Sequence, residues 1–349
     1  MYKISTFFGD TMKGWKIIKP FLLKESESNE TVDSTSISKV KITKALITLS
    51  DVLRYSDELD GESVILGNSG IGVISETDAN LFGLEKGQRV YIEPIVTCGT
   101  CENCKKGDDS HCTELKRAGI DFDGFLCDFA TVKAENLFAL PDSVADFNAL
   151  FLDQISLAIS VVDKLKIQKG DYVAIVGANN FGNILAQLLI YYQAVPIVVT
   201  NNLEDYKIAK DSGIYYVLGP DDNWQKEVAN ITSARMTKNV VYISDCDIPT
   251  TKAFALASFN AGIAYTGVSN KNNSVSFAQA IKKQLKIYFI NNKHGNTAAS
   301  INLIANKAIN LSNLKLDTAP YDKVPEVLQN MQKTLEEKGK IYETVIDLV

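Results

Sequence analysis

Four cysteines fall within fifteen residues, spaced Cys98-x2-Cys101-x2-Cys104-x7-Cys112. Few folds tolerate that density without a purpose for it. Disulfide frameworks rarely need it, and in a reducing compartment clustered thiols serve as metal ligands. Four thiolates on one loop can close a tetrahedral shell around a single zinc with no open position, which makes the site structural. An iron–sulfur cluster is the rival. The ferredoxin run places its last cysteine after three residues and follows it with proline, whereas here the last interval is seven and Thr113 follows. The spacing predicts one structural zinc per chain. Of the two histidines, His111 adjoins Cys112 and reads as a solvated bystander; Cys127 and Cys246 stand alone.

A loop of this kind needs a larger body to brace it. The chain has 349 residues, 46% apolar and 22% charged, enough for two domains with sizeable cores. Its net charge of -6 supplies no basic footprint for nucleic acid. No apolar run approaches the roughly 18 residues of a membrane span, and Met1 to Asp10 shows no apolar leader. A cytoplasmic protein with neither nucleic acid nor membrane as partner is expected.

The first 150 residues read as short β-rich runs between turns: Val40 to Ile47, Val64 to Leu66, Gly72 to Ile74 and Arg89 to Ile92. Glu25 to Ser38 offers no apolar face and reads as a solvated loop. The pattern then changes. Tyr172 to Val176 is an apolar strand, Asn183 to Gln193 a helix, and Pro196 to Thr200 another buried-type strand. Strand, helix, strand over about thirty residues is a βαβ unit, hence a parallel sheet. Apolar runs at Tyr215 to Leu218, Val240 to Ile243, Ile263 to Thr266 and Lys286 to Ile290 extend it into a doubly wound, Rossmann-like domain. Two helical segments and a closing strand, Glu343 to Leu348, follow.

Between that first strand and helix lies Gly177-Ala178-Asn179-Asn180-Phe181-Gly182. Its position matches a dinucleotide fingerprint: the first glycine makes the tight turn, and the third lets helix and strand pack closely. The middle glycine, which admits the pyrophosphate, is Asn179. Alternatively, Gly177 and Gly182 only hold the turn.

Several stretches together resemble the zinc-containing medium-chain dehydrogenase/reductase superfamily, in its sorbitol, threonine and butanediol dehydrogenase branch. They are Glu93 to Cys104, Asp123-Gly124, Glu135 to Pro141, Lys41 to Asp51, Leu66 to Gly70 and Ala319 to Glu326. The resemblance implies an α/β protein. Its GroES-like catalytic domain would span residues 1–150 and 292–349, with the zinc loop at 98–112. A Rossmann nucleotide-binding domain would span 151–291. It also implies NAD or NADP as cofactor and a homodimer or homotetramer. Carried over by position, the family's three catalytic-zinc ligands fall on Thr48, Asn68 and Asp153, and the acid after the second ligand on Ser69. A hydroxyl and an amide are poor zinc ligands beside cysteine and histidine, so no catalytic zinc is expected. Ser50 matches the family's proton-relay hydroxyl. At the end of the second Rossmann strand, where NAD users carry an acid for the ribose, stands Asn201.

These features support an NAD(P)-dependent oxidoreductase working without catalytic zinc. Ser50, Thr48 and Asn68 would be the donors to a small carbonyl or alcohol, or beside an activated C=C bond, with Asp153 nearby. Gly177, Asn179, Phe181, Gly182 and Asn201 would face the cofactor. The alternative is a non-catalytic relative that keeps the fold and structural zinc and binds another ligand or partner. A hydrolase built on His294 lacks any nucleophile motif.

Overall fold

The computed structural model describes residues 12–28, 36–56, 63–78, 83–268, 275–291 and 294–348. Met1 to Asp10 lies outside them. Contacts divide the chain into two units, Met1–Asp153 with Leu316–Val349, and Gln154–Lys315.

The first unit is organised on the strand Ile37–Ile47. Its β-branched and aliphatic residues Val40, Ile42, Ala45, Leu46 and Ile47 are fully buried, as suits a strand covered on both faces. Its first half pairs antiparallel with Phe129–Lys133, its last residues with Thr344–Asp347, and most of its length with Gly70–Thr77. The sheet continues through Arg89–Ile92 to Leu137–Ala139. Gly72 is required at the close pairing, because a Cβ there would lie 2.3 Å from the Lys41 carbonyl oxygen.

Two expectations fail here. Glu25 to Ser28 belong to the strand Leu22–Ser28, which forms a hairpin with Met12–Lys19. Alternating charges keep one face of this hairpin wet, so its sequence looks like a loop. Val64 to Leu66 is no strand: Ile65 makes only an isolated bridge to Lys16. The chain turns at once through Gly67, whose φ of +94° suits glycine, and bonds instead to the loop at Gly124 to Leu126. Phe125 N–H donates to the Gly67 carbonyl at 2.9 Å, and Leu126 N–H to Leu66 at 2.9 Å.

The second unit is a six-stranded, wholly parallel sheet. In spatial order its strands are Tyr216–Leu218, Val195–Val199, Tyr172–Val176, Thr237–Ile243, Ala257–Thr266 and Lys286–Ile290. That is the 3-2-1-4-5-6 order of a dinucleotide-binding fold. Order reverses beside Tyr172–Val176, so ligands are expected beyond its carboxyl end. The helix Asn180–Tyr191 leaves from that end, buried from Asn180 to Leu189.

Residues 294–315 group with this second unit rather than returning to the first at 292 as expected. Polar side chains fix them there. Ser300 bonds Ser156 at 3.0 Å, Asn310 N–H donates to Gln187 Oε1 at 2.7 Å, and Asn180 Nδ2 donates to the Lys315 carbonyl at 2.8 Å.

Candidate functional site

The cysteine loop forms a cage. The sulfurs of Cys98, Cys101, Cys104 and Cys112 all lie within 4.8 Å of one another, and none is in a disulfide. Zinc–sulfur bonds of about 2.3 Å at tetrahedral angles would set sulfurs about 3.8 Å apart, close to the 3.5 Å found for Cys101–Cys104 and Cys98–Cys112. Backbone N–H groups of Cys98, Cys101, Cys104 and Glu114 point at sulfur from 3.3–3.5 Å, the polarity that thiolates require. Backbone amide donors, that of Cys104 first, push the Cys101 thiol down to about 6. Desolvation and the neighbouring sulfurs push Cys104 up to about 12. The sulfur spacing and the amide donors fit a closed four-thiolate zinc site. His111 turns away: its Nδ1 pairs with Asp108 at 2.7 Å, exposed to solvent.

In the same unit, the turn after Ile37–Ile47 and the loop at Gly67 bring three expected residues together. Asn68 Nδ2 donates to Ser50 Oγ at 2.8 Å. Ser50 Oγ and Thr48 Oγ1 are 3.2 Å apart, and Thr48 Oγ1 donates to Asp51 Oδ2 at 2.9 Å. Because Thr48 spends its hydrogen on the carboxylate, Ser50 must be the donor to Thr48. The chain of bonds runs in one direction, from the amide to the acid. Asp51 also accepts from the backbone N–H of Thr48 and of Gly67, both at 2.9 Å. It is fully buried, and desolvation outweighs these bonds and raises its pKa. Asn68 Oδ1 is buried and has no hydrogen-bond partner among the described residues. Ser69 serves the backbone, donating to the Leu150 carbonyl at 2.8 Å.

Asp153 is buried and acts on Tyr91. Burial first, then the charges of Asp153 and Glu93, hold the Tyr91 phenol neutral far above neutral pH. Sequence reasoning missed Asp51 and Tyr91. Asp51 could have been found as the acid directly after Ser50; nothing in a β-strand's apolar alternation marks Tyr91.

The second unit carries the glycine loop. Gly177 turns with φ +105°. A Cβ on Gly182 would meet the Gly177 carbonyl oxygen at 2.5 Å and Ile243 Cδ1 at 2.9 Å, so the close packing expected of the third glycine holds. Asn179 caps the helix: its Oδ1 accepts from Gly182 N–H at 2.9 Å, and its Nδ2 donates to both carboxylate oxygens of Asp245 at 3.2 and 3.0 Å. Asn201 Nδ2 donates to the Asp247 carbonyl at 2.8 Å. Phe181 is buried in the first helical turn. Asp245 and its neighbours, just past Thr237–Ile243, were not foreseen. The rule that ligands meet carboxyl ends of strands could have flagged them.

The profile of the alcohol dehydrogenase GroES-like domain matches residues 37–142. A zinc-type alcohol dehydrogenase-like protein of Haemophilus influenzae is 26% identical over 279 residues, 79% of this chain and 82% of that protein. Sorbitol dehydrogenase of Bacillus subtilis is 24% identical over 319 residues, 88% and 89% of the two chains. The crystal structure of the alcohol dehydrogenase RspB from Escherichia coli, complexed with NADH, superposes with a TM-score of 0.83 at 24% identity, covering 97% of this chain and all of that one. A GroES-like unit with a four-cysteine cage and a six-stranded Rossmann unit define an alcohol-dehydrogenase-like protein. Over most of its length this chain is similar to zinc-type members of the medium-chain dehydrogenase/reductase family, and its residues 37–142 carry that family's GroES-like domain.

Proposed function

We propose that this chain is an NAD(P)-dependent oxidoreductase of the alcohol-dehydrogenase type. It would act on a small carbonyl or alcohol, or on an activated C=C bond, with a hydroxyl relay in place of a catalytic zinc. The observation that carries the reading is the one-way bond chain Asn68–Ser50–Thr48–Asp51, built from residues at the family's metal and relay positions. A bound nicotinamide supplies or accepts the hydride. Ser50 Oγ, already accepting from Asn68, keeps a lone pair for a substrate hydroxyl. In the oxidising direction the substrate proton passes to Ser50, the Ser50 proton to Thr48, and the Thr48 proton to Asp51. The raised pKa of Asp51 suits it as acceptor. Asn68 Oδ1 is the spare acceptor for a second donor on the substrate. Gly177 and the first-turn amides of Asn180 and Phe181 are the groups that would hold the pyrophosphate, with Gly182 keeping the helix close against the turn. We assign one structural zinc to the four cysteines.

Two further parts of the reading are a cytoplasmic location and a homodimer or homotetramer. Among the described residues no helix is long and apolar enough to cross a membrane. The edge strand Lys286–Ile290 supports self-association: among the described residues no strand pairs its outer side, and it carries Phe289 at 78% exposure.

Titration with NADH and NADPH, followed by cofactor fluorescence and thermal shift, tests the reading. Saturable binding of either is expected. Absence of binding at millimolar cofactor refutes it and favours the non-catalytic relative.

A further inference from the structure

The two asparagines that replace the family's glycine and acid, Asn179 and Asn201, are not idle substitutions. Both reach the same short segment, Ser244 to Ile248. Asn179 holds the Asp245 carboxylate and Asn201 holds the Asp247 carbonyl. The segment is pinned at other points as well. Tyr242 Oη donates to the Ile248 carbonyl at 2.5 Å, and Ser244 N–H donates to the Thr266 carbonyl at 2.8 Å. Between the two asparagine anchors, Cys246 lies over the glycine turn: a Cβ on Gly177 would meet Cys246 Cβ at 3.1 Å. The segment therefore crosses the carboxyl ends of three adjacent strands.

The consequence is chemical. A pyrophosphate at a Rossmann helix is bound by first-turn N–H groups and by the positive end of the helix dipole. Here the Gly182 N–H is already taken by Asn179 Oδ1. The same asparagine places the Asp245 carboxylate at the helix N-terminus, where it satisfies the dipole that would attract phosphate. Asn201, which would face the ribose, is spent on Asp247.

We infer that Ser244 to Ile248 is an internal strap over the nucleotide loop, held by Asn179 and Asn201, and that Asp245 competes with the dinucleotide pyrophosphate for the head of the Asn180–Tyr191 helix. This inference rests on the nucleotide reading above. Binding requires the Asn179–Asp245 bond to break, which frees the Asn179 amide to turn toward phosphate and releases Cys246 from the glycine turn. Asp245 is thus an affinity-setting residue for the cofactor.

The test uses the full-length zinc-loaded protein, with Asp245→Ala to remove bond and charge and Asp245→Asn to remove the charge alone. Two readouts are taken: the Kd for NADH and NADPH by fluorescence, and the rate of Cys246 alkylation without nucleotide, read by peptide mass spectrometry. Asp245→Ala is expected to tighten NADH or NADPH about tenfold, the scale of one charge-assisted hydrogen bond, and to speed alkylation several-fold. Asp245→Asn, which keeps a bond to Asn179, should tighten binding less and leave alkylation near the wild-type rate. Equal Kd in wild type and both variants overturns the competition while the nucleotide reading stands. Unchanged alkylation in Asp245→Ala overturns the strap. Failure of all three proteins to bind either cofactor at millimolar concentration overturns the nucleotide reading and the competition by Asp245 with it.

Discussion

Asn68 donates its side-chain amide to Ser50 Oγ at 2.8 Å, an amide standing where the family's second zinc ligand would be. The bond fixes the position of Ser50 Oγ. A double-mutant cycle between Ser50→Ala and Asn68→Ala isolates it, since each change removes one partner. A coupling of about 0.5–1.5 kcal/mol is expected for a net side-chain hydrogen bond, read from urea denaturation. A coupling near zero would mean that the two side chains do not hold each other, and the relay would lose its first link.

Asp51 gives the relay a pH signature. Its pKa is raised above the ordinary 3.8 by burial, against the bonds from Thr48 and Gly67. An acid whose folded pKa exceeds its unfolded one contributes most below the unfolded value, and that contribution is lost as pH rises through the folded pKa. Wild type should therefore gain stability relative to Asp51→Asn as pH falls from 7 to below about 4. Denaturant midpoints of both proteins at the two pH values measure the change in the gap. A gap that is constant, or that moves the other way, would show that the three hydrogen bonds outweigh burial.

The features legible in the sequence were those written in spacing. The cysteine intervals gave the cage, and the apolar runs gave all six strands of the parallel sheet, from Tyr172–Val176 to Lys286–Ile290. Thr48, Ser50 and Asn68 were reached only through the family resemblance, position by position, and side-chain hydrogen bonds join them. Polarity hid the hairpin Met12–Lys19 with Leu22–Ser28, because Lys13, Lys16, Glu25 and Glu27 sit on strands that bury little. Asp51 was hidden for a different reason: an acid in the first turn of a helix reads as a cap, and only the surrounding packing shows that it is buried and takes Thr48 and Gly67 as partners. The strap was invisible because Asn179 and Asp245 are 66 residues apart, and no local rule links them.

Gly182 tests how tightly the nucleotide loop is built. A methyl group there would press on the Gly177 carbonyl oxygen at 2.5 Å, a backbone atom that cannot swing aside. Gly182→Ala should cost about 1–3 kcal/mol by overpacking, seen as a lower denaturation midpoint. A loss under about 0.5 kcal/mol, the size of an ordinary surface change, would mean that the turn yields and that helix and strand are not held at the spacing a pyrophosphate needs.

The cage makes the sharpest stoichiometric claim. Four thiolates close the zinc shell, so purified protein should carry about one zinc per chain. Cys104→Ser should lose it, because an alcohol replaces one of four thiolates whose sulfurs lie within 4.8 Å of each other. Loss of the metal should loosen the Cys98 to Cys112 loop first, since its backbone N–H groups are aimed at sulfur. Elemental analysis before and after the substitution, with limited proteolysis of the loop, reads both effects. A chain that keeps a full equivalent of zinc after Cys104→Ser, or wild type carrying two equivalents, would place a metal elsewhere. Thr48, Asn68 and Asp153 would then have to be reconsidered as its ligands, and the relay drawn from them would fail.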